Sequence, residues 1–274
     1  MYDIKNLTLE EKMRLVTGKN NWQLSTANGK LPQVFLADGP HGLRKVSVEK
    51  LEQGVSETEA TYRTTAMPNI CVLSNTWSVE TAYLQGSTIA DDCLECGADI
   101  LLAPGVNIKR TPLCGRNFEY FSEDPYLAGH MAKAFVLGVQ DKGIGATVKH
   151  FCCNNREYDR WNRNSEVDER TLREIYTPAF EIVFEAKPWA VMCSYNPVNG
   201  VYASENKNFW TGCYAKRLVS TGWLCPTGGR CNRARKRLKI LWIWKCPTPS
   251  VRIRKSSKAM TTGILPKRIW TEPF

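Results

Sequence analysis

Short apolar runs alternate with longer segments of helical period through the first 207 residues, and this alternation limits the possible folds more than any other feature. Residues 34–37 (VFLA) and 100–103 (ILLA) are two such runs, and each is followed by a Gly and Pro turn sequence. Strands buried on both faces of a parallel sheet are continuously apolar in this way. The sequence therefore predicts an α/β fold. Strands are expected at about 34–37, 100–103, 145–149 and 190–194, and helices at about 9–16, 78–95, 124–141 and 169–186.

Local signals mark where some of these helices begin and end. Thr8-Leu9-Glu10-Glu11 fits a capping box, in which the Thr hydroxyl and the Glu carboxylate accept from free backbone N–H groups. Gly18 is expected to end that first helix. Ser122 is the predicted cap of the helix over 124–141.

Charge divides the chain near residue 207. Residues 208–274 hold fifteen Lys and Arg against one acidic residue, Glu272, whereas residues 1–207 hold 22 basic and 26 acidic side chains. Five of the nine tryptophans also lie after residue 207, where no sustained helical or strand pattern is found. We therefore expect two parts, a folded domain over 1–207 and a basic tail over 208–274 that does not resemble a native domain.

Several classes of protein and site are not expected. The first residues are too charged for a signal peptide and no run of eighteen apolar residues occurs, so we expect a cytoplasmic protein without a membrane partner. The eleven cysteines lack the spacing of a complete zinc site and are interpreted as free thiols. His41 and His130 have no second ligand at suitable spacing, and we expect neither a metal nor another cofactor.

Polar residues follow the predicted strands at four places: Asp38 with Arg44, Arg116 with Glu119, Lys149 with His150, and Tyr195 with Asn196. In parallel folds the chemistry gathers where strands end. Carboxylates paired with Arg or Lys can bind the vicinal hydroxyls of a sugar through charge-assisted hydrogen bonds, while aromatic rings cover its apolar faces. For any single residue, an ordinary ion pair or loop hydrogen bond is the alternative.

These residues lie in stretches that resemble the signatures of glycoside hydrolase family 3. The stretches are ADGPHGLR at 37–44, LLAPGVNIKRTPLCGRNFEYFSEDP at 101–125, KHFCCNNRE at 149–157, SEVDERTLREIY at 165–176 and MCSYNPVNG at 192–200. The resemblance implies the (β/α)₈ TIM-type barrel of that family. It covers about the first five β/α units, so the barrel is expected to be incomplete in this chain.

The resemblance also assigns roles. It implies that Asp38, Arg44, Arg116, Lys149, His150 and Tyr195 bind the substrate, an oligosaccharide or glycoside. Intact relatives would hydrolyse a terminal, β-linked sugar with retention, using an Asp nucleophile and a Glu acid/base. The nucleophile lies in a motif like VVSDWGAV and the Glu comes from a second domain; neither is found here, and no Asp follows residue 207. We therefore assign no catalytic residue and expect this chain to be inactive.

A shifted reading frame would explain the missing motif. Residues 218–231 can be back-translated with all allowed codons and then read in the frame that starts at the third nucleotide of each codon. That frame permits the sequence GFDGLVVSDWGAV. In the same frame residues 241–247 permit LDLEMP, a sequence that the family also contains. In the second stretch the Asp and Glu are forced, because Trp242 and Trp244 each have a single codon. We hypothesise that residues from about 208 onward are an off-frame translation.

Two other readings remain open from the sequence alone. Basic residues interleaved with Trp could neutralise phosphates and stack on bases, which would make the tail a nucleic-acid-binding module. No recognisable nucleic-acid motif accompanies them, and we do not expect a nucleic-acid partner. The chain could also be a catalytically dead sugar-binding protein.

Overall fold

The computed structural model describes residues 6–206 and 223–225 of the chain. Predictions for residues 207–222 and 226–274, which include most of the basic tail, lie outside the described residues. The described part is an α/β structure built on a parallel sheet.

Five parallel strands form the main sheet, in the order β1-β2-β3-β4-β7. Their bounds are β1 Leu36–Asp38, β2 Ile100–Leu102, β3 Gly145–Phe151, β4 Ala190–Cys193 and β7 Trp223–Cys225. A two-stranded antiparallel hairpin, β5 Pro197–Val198 with β6 Val201–Tyr202, follows β4. The strands predicted near 34–37, 100–103, 145–149 and 190–194 are therefore confirmed to within a few residues.

The helices fall between these strands. Their bounds are α1 Leu9–Thr17, α2 Val48–Glu52, α3 Glu57–Ala60, α4 Ile70–Ser74, α5 Val79–Cys96, α6 Pro125–Asp141, α7 Glu169–Thr171 and α8 Pro178–Phe184. Short 3₁₀ turns occupy Asn117–Glu119 and Ala203–Glu205. No helix in the described ranges is long and apolar enough to cross a membrane.

The predicted capping box of α1 is confirmed. Glu11 N donates to Thr8 Oγ1 at 3.2 Å, and Thr8 N donates to Glu11 Oε2 at 2.9 Å. Gly18 follows the helix with φ of 72°. The predicted cap of α6 was wrong by two residues: the Asp124 carboxylate caps it, accepting from Tyr126 N at 2.8 Å, and Ser122 instead accepts from Asp124 N.

The single helix predicted over 169–186 is interrupted. Glu169–Thr171 is α-helical, Leu172–Tyr176 forms a π-helical turn, and α8 starts afresh at Pro178. Proline has no N–H to donate and is tolerated in the first helical turn, so Pro178 opens a new helix rather than continuing the old one. The hydrophobic periodicity of residues 169–186 predicts that the segment is helical, but it does not predict the interruption before Pro178.

Helices α4, α5, α6 and α8 pack on one face of the sheet around a large apolar core. Alternate strand residues such as Ala37, Leu101 and Val148 face this core together with Phe135 of α6 and Phe180 of α8. The backbones of α5 and α6 approach so closely that a Cβ at Gly138 would lie 2.1 Å from the Tyr83 carbonyl oxygen. The other face carries a smaller cluster of Leu36, Ile100, Leu102 and Met192.

Strand β7 was not expected from the sequence. It pairs in parallel with β4, with Ala190 opposite Trp223 and Met192 opposite Cys225. A run of three residues is too short to show a strand period. Strand β7 pairs with backbone N–H and C=O groups at the edge of β4, and the sequence of residues 223–225 alone does not indicate this pairing.

Candidate functional site

The carboxyl ends of the first four strands meet at one edge of the sheet. Asp38 is the last residue of β1, Lys149 and His150 lie near the end of β3, and Tyr195 follows β4. Arg116 lies in the loop after β2, directly before the turn Asn117–Glu119. The topology therefore brings together residues that are separated by more than 150 positions in the sequence.

Close packing fixes the loop that carries Arg116. Glycine at position 105 lets the segment after β2 run directly under this loop, since a Cβ there would lie 2.2 Å from the Glu119 carbonyl oxygen. The side chain of Asn107 then ties the loop to the segment after β3: Asn154 N donates to its Oδ1 at 2.9 Å, and its Nδ2 donates to the Asn154 carbonyl at 3.1 Å. These contacts hold the two loops in a fixed relation.

A chain of alternating charges crosses the site. Lys149 Nζ lies 3.3 Å from Asp38 Oδ1 and 3.3 Å from Glu119 Oε2, and Glu119 Oε1 accepts from Arg116 Nε. The Lys149 and Glu119 side chains are 3% and 4% exposed, whereas that of Asp38 is 35% exposed. Two positive and two negative groups balance one another, which is the usual condition for burying charge. Asp38 is the most exposed member of the chain.

His150 is a buried neutral group beside this chain. Its Nδ1 lies 2.8 Å from the Tyr120 hydroxyl, and the residue is 1% exposed. Burial, together with the positive charges of Arg116, Lys149 and Arg160, holds the pKa of His150 well below its usual value of 6.5. A neutral imidazole can donate one hydrogen bond and accept another, but it cannot supply a cation at neutral pH.

Aromatic and cationic side chains stack beyond His150. The Tyr195 ring lies 6.3 Å from the His150 ring in a stacked orientation and 4.4 Å from the Trp161 ring. The Arg160 guanidinium lies 4.3 Å from the centre of the Tyr195 ring and pairs with Glu157 at 2.7 Å. This arrangement supplies the apolar surface that a sugar ring face can cover.

The structure does not bring the Arg44 side chain into this cluster. Its backbone N donates to the Asp38 carbonyl at 2.7 Å, but its guanidinium pairs with Glu57, and both side chains are 50% exposed. Arg44 lies six residues beyond the end of β1, on a turn that carries its side chain outward. The other five residues predicted from the sequence lie together at the strand ends.

A groove on the described surface lies away from the strand ends. It has a volume of about 760 Å³ and is lined by Arg110, Asn164, Glu166, Val167, Asp168, Thr171, Tyr176, Asn199 and Gly200. Several of its polar groups are used within the loops: Asn164 accepts from Gly200 N, Asn199 bonds to Val167, and Asp168 caps α7. None of the predicted site residues lines it. We therefore place the candidate site at the strand ends, where buried charges and partly buried aromatic rings converge.

A known protein family matches most of the chain. Residues 9–222 match the family model described as "Glycosyl hydrolase family 3 N terminal domain", which is more than half of the chain. The chain belongs to glycoside hydrolase family 3. The resemblance seen in the sequence motifs is thereby confirmed.

Members of family 3 with similar sequences and structures include enzymes of different named specificity. The chain is 46% identical over 205 residues to an exo-α-(1→6)-L-arabinopyranosidase of Bifidobacterium longum, covering 74% of this chain and 27% of that protein. It is 39% identical over 269 residues to thermostable β-glucosidase B of Acetivibrio thermocellus, covering 97% and 35%. It also superposes with TM-score 0.73 on β-glucosidase 3B of Thermotoga neapolitana in complex with glucose, with 41% identity and coverage of 81% and 33%.

The chain thus spans between about a quarter and a third of the length of these family 3 relatives. The family match reaches residue 222, fifteen residues past the predicted division at 207, and that division stays a prediction. Within the described residues no group of three or more His, Cys, Asp or Glu side chains is placed to hold a metal ion.

Sequence reasoning missed several side chains that build the site. Glu119 was noted only as a partner of Arg116, yet it is the buried link between Arg116 and Lys149. Tyr120, Asn154, Arg160 and Trp161 were not assigned to the site at all. Tyr120 and Asn154 lie inside the quoted motifs, so position in a motif was a usable signal. Trp161, in the stretch YDRWNRN, is an aromatic residue among charged ones and could have been singled out for that reason.

Proposed function

We propose that this chain carries the sugar-binding wall of a β-glucosidase-like family 3 hydrolase. The observation that carries the proposal is the charge chain Asp38–Lys149–Glu119–Arg116, which ends on the partly exposed carboxylate of Asp38. His150 directly follows Lys149 in the sequence, and its ring stacks on that of Tyr195. An exposed carboxylate next to a lysine ammonium matches a pair of vicinal hydroxyls, since the carboxylate accepts and the ammonium donates. The named activities of the relatives support the same class of ligand.

Each proposed binding residue has a distinct part in this scheme. Asp38 accepts from two sugar hydroxyls, and Lys149 and Arg116 donate to their oxygens while staying neutralised by Glu119. His150 adds one directed hydrogen bond, and the Tyr195 ring covers an apolar face of the sugar. Arg44 acts only through its backbone bond to Asp38 in this scheme, because its guanidinium is paired with Glu57 at the surface.

We also propose that the five parallel strands are the first five of a (β/α)₈ barrel. Three observations support this: the strands are all parallel, they follow one another in sheet order, and helices cover one face of the sheet. A complete barrel would pair its last strand with β1. Intact proteins of this kind would hydrolyse a terminal β-linked sugar with retention, through two carboxyl groups about 5–5.5 Å apart.

The reacting groups are proposed to be missing from this chain because of a shifted reading frame. The jump in charge after residue 207 and the phrases that residues 218–231 and 241–247 permit in the shifted frame support that idea. Nucleotide sequence decides it. If the codons for residues 225–227 do not spell Ser-Asp-Trp in that frame, the reading-frame hypothesis is wrong.

Turnover of an aryl β-glucoside tests the reaction part of the proposal. The full chain is expected to release nitrophenol from nitrophenyl β-glucoside at no more than the background rate, since neither the nucleophile nor the acid/base is encoded. A family 3 β-glucosidase serves as the positive control for the assay. Clear turnover by residues 1–274 alone, retained after repurification, would show that a carboxyl group within this chain performs the chemistry.

The expected cytoplasmic location and the expected lack of a nucleic-acid partner stay predictions.

A further inference from the structure

Tyr120, Asn154 and His150 form a buried chain of hydrogen bonds behind the candidate sugar site. The Tyr120 hydroxyl lies 2.8 Å from His150 Nδ1 and 3.1 Å from Asn154 Nδ2. Each of the three residues is at most 1% exposed. A neutral imidazole carries its one proton on either Nδ1 or Nε2, and the partners of the two nitrogens decide which. The direction of this chain therefore determines what His150 presents to a ligand.

Asn154 fixes the direction at one end. Its Nδ2 lies 3.2 Å from Glu157 Oε1, and the Glu157 carboxylate is itself paired with Arg160 at 2.7 Å. A carboxylate in such a pair only accepts, so the amide group facing it must be the NH₂. Flipping the amide would set its oxygen against the carboxylate. The same NH₂ faces the Tyr120 hydroxyl, which therefore accepts from Asn154.

The Tyr120 hydroxyl then has one acceptor for its own hydrogen. A phenolic hydroxyl has a single hydrogen to donate, and among the described residues the remaining partner in range is His150 Nδ1. If Nδ1 carried the proton instead, the hydroxyl would accept twice and its own hydrogen would be buried without an acceptor. Buried donors without partners are rare in folded proteins because of their cost.

We propose that Tyr120 and Asn154 are positioning residues that hold His150 as its Nε2–H tautomer, so that the site presents a hydrogen-bond donor at Nε2. The part played by this donor rests on the proposed sugar-binding function. A sugar hydroxyl that donates its hydrogen to the Asp38 carboxylate keeps lone pairs on its oxygen, and these can accept from His150 Nε2–H and from Lys149. The opposite tautomer would present a lone pair and would compete with Asp38 for the same hydrogen.

Nitrogen NMR of the full chain reads the tautomer directly. The chain has only three histidines, so ¹⁵N-histidine labelling gives three ring systems, and the variants His41→Gln and His130→Gln identify the third. Magic-angle-spinning spectra of sedimented protein at neutral pH serve if the chain self-associates. We expect a pyrrole-type Nε2 and a hydrogen-bonded, pyridine-type Nδ1 for His150. A pyrrole-type Nδ1, or a doubly protonated ring, overturns the proposal.

Two variants separate positioning from a merely structural role. Asn154→Asp places an oxygen where Nδ2 was, and that oxygen accepts from Tyr120 whether the new carboxyl is ionised or shares a proton with Glu157. The His150 proton is then expected to move to Nδ1. Tyr120→Phe removes the donor, and a mixture of tautomers is expected. Tyr195→Phe, which removes a hydroxyl from the ring stacked on His150, is the matched control and should keep Nε2–H. An unchanged tautomer in both of the first two variants contradicts the proposal.

Adding glucose to the labelled chain distinguishes failure of this inference from failure of the proposed function. If His150 is the Nε2–H tautomer and the Nε2 resonance shifts saturably with glucose, both stand. If the tautomer is as expected but glucose leaves Nε2 unchanged, sugar donation by His150 is wrong while the positioning by Tyr120 and Asn154 stands. An Nδ1–H tautomer overturns the positioning whatever glucose does.

Discussion

Lys149 is the residue on which the balance of charge in the site depends. It lies between two carboxylates, Asp38 and Glu119, and is almost completely buried. Removing one partner of a buried ion pair costs about 3–5 kcal/mol, because the remaining charge stays buried and uncompensated. Lys149→Met is therefore expected to lower the free energy of unfolding by about that amount, measured by urea denaturation.

A second substitution tests whether charge is the cause of that loss. In Lys149→Met the cluster keeps two carboxylates and only one cation, Arg116. Adding Glu119→Gln restores one charge of each sign, so the double variant is expected to be more stable than Lys149→Met alone. Lys142→Met, at an exposed pair with Asp91, is the control and should change stability by less than about 1 kcal/mol. A double variant less stable than the single one would show that packing rather than charge dominates.

His150 gives the stability a pH dependence with a definite sign. Burial holds its pKa in the folded chain well below 6.5, the value expected in the unfolded chain. The unfolded state therefore binds more protons as pH falls below about 6.5, and stability is lost on the acid side at up to about 1.4 kcal/mol per pH unit. Urea midpoints between pH 7 and pH 5 measure the slope.

His150→Gln and His130→Gln isolate the contribution of His150 to that slope. His150→Gln should flatten it, whereas His130→Gln, at a more exposed histidine, should leave most of it. Acidic groups that titrate near pH 4 contribute little in this window. An unchanged slope in His150→Gln would mean that His150 is not the titrating group.

Individual residues of the site could be predicted where motif and strand end coincide. Asp38, Lys149, His150 and Tyr195 directly terminate or follow buried strands, so parallel topology alone brings them to one edge. Arg44 could not be placed correctly, because nothing in the local sequence tells which way a side chain points on a turn. Glu119 could not be recognised as the central link, because its partnership with Lys149 depends on contacts across thirty residues of intervening chain.

The close approach of helices α5 and α6 depends on the absence of a side chain at Gly138. A Cβ at Gly138 would lie 2.1 Å from the Tyr83 carbonyl oxygen, so Gly138→Ala must push the two helices apart. Overpacking of this kind costs about 1–3 kcal/mol, even though Ala favours helix over Gly by about 1 kcal/mol. Urea denaturation should show the net loss.

Gly115→Ala is the control for that substitution. At Gly115 nothing lies nearer to a new Cβ than a Glu157 side-chain carbon at 3.6 Å, so little change is expected. A Gly138→Ala chain as stable as the parent would mean that the helices can separate without loss of packing.

Among the elements, those with strong period or clear capping were predictable. The strands of the sheet, α5 and α6 lie within a few residues of their predicted bounds. The break before α8 was not predictable from period, because the π turn keeps apolar residues on the same side as an unbroken helix would. Strand β7 depends on the free edge of β4 rather than on its own three residues.

At the scale of the whole molecule, β1 and β7 are the outer strands of the described sheet. If the sheet is part of a barrel, the described residues leave these edges and the Leu36, Ile100, Leu102 and Met192 face without the cover that a complete barrel gives. The chain is then expected to self-associate. Sedimentation velocity at several concentrations checks this, and a monodisperse monomer with a cooperative thermal transition would contradict it.

Family membership was predictable because several motifs within the first 207 residues occur in the correct order and spacing. The division at residue 207 was inferred from a jump in charge, which reports composition and not structure. The family match reaches residue 222 and β7 lies at Trp223–Cys225, both beyond that jump, and the division at 207 stays a prediction.

Equilibrium binding of glucose to the full chain, measured by titration calorimetry, is the most direct test of the proposed sugar-binding wall. We predict saturable binding that weakens at least tenfold in Asp38→Asn, since losing a charged hydrogen-bond partner costs about 1.5–3 kcal/mol. Asp91→Asn, at the surface pair with Lys142, should bind as the parent does. A parent chain that binds no glucose, or an Asp38→Asn chain that binds it equally well, would contradict the proposed sugar-binding wall.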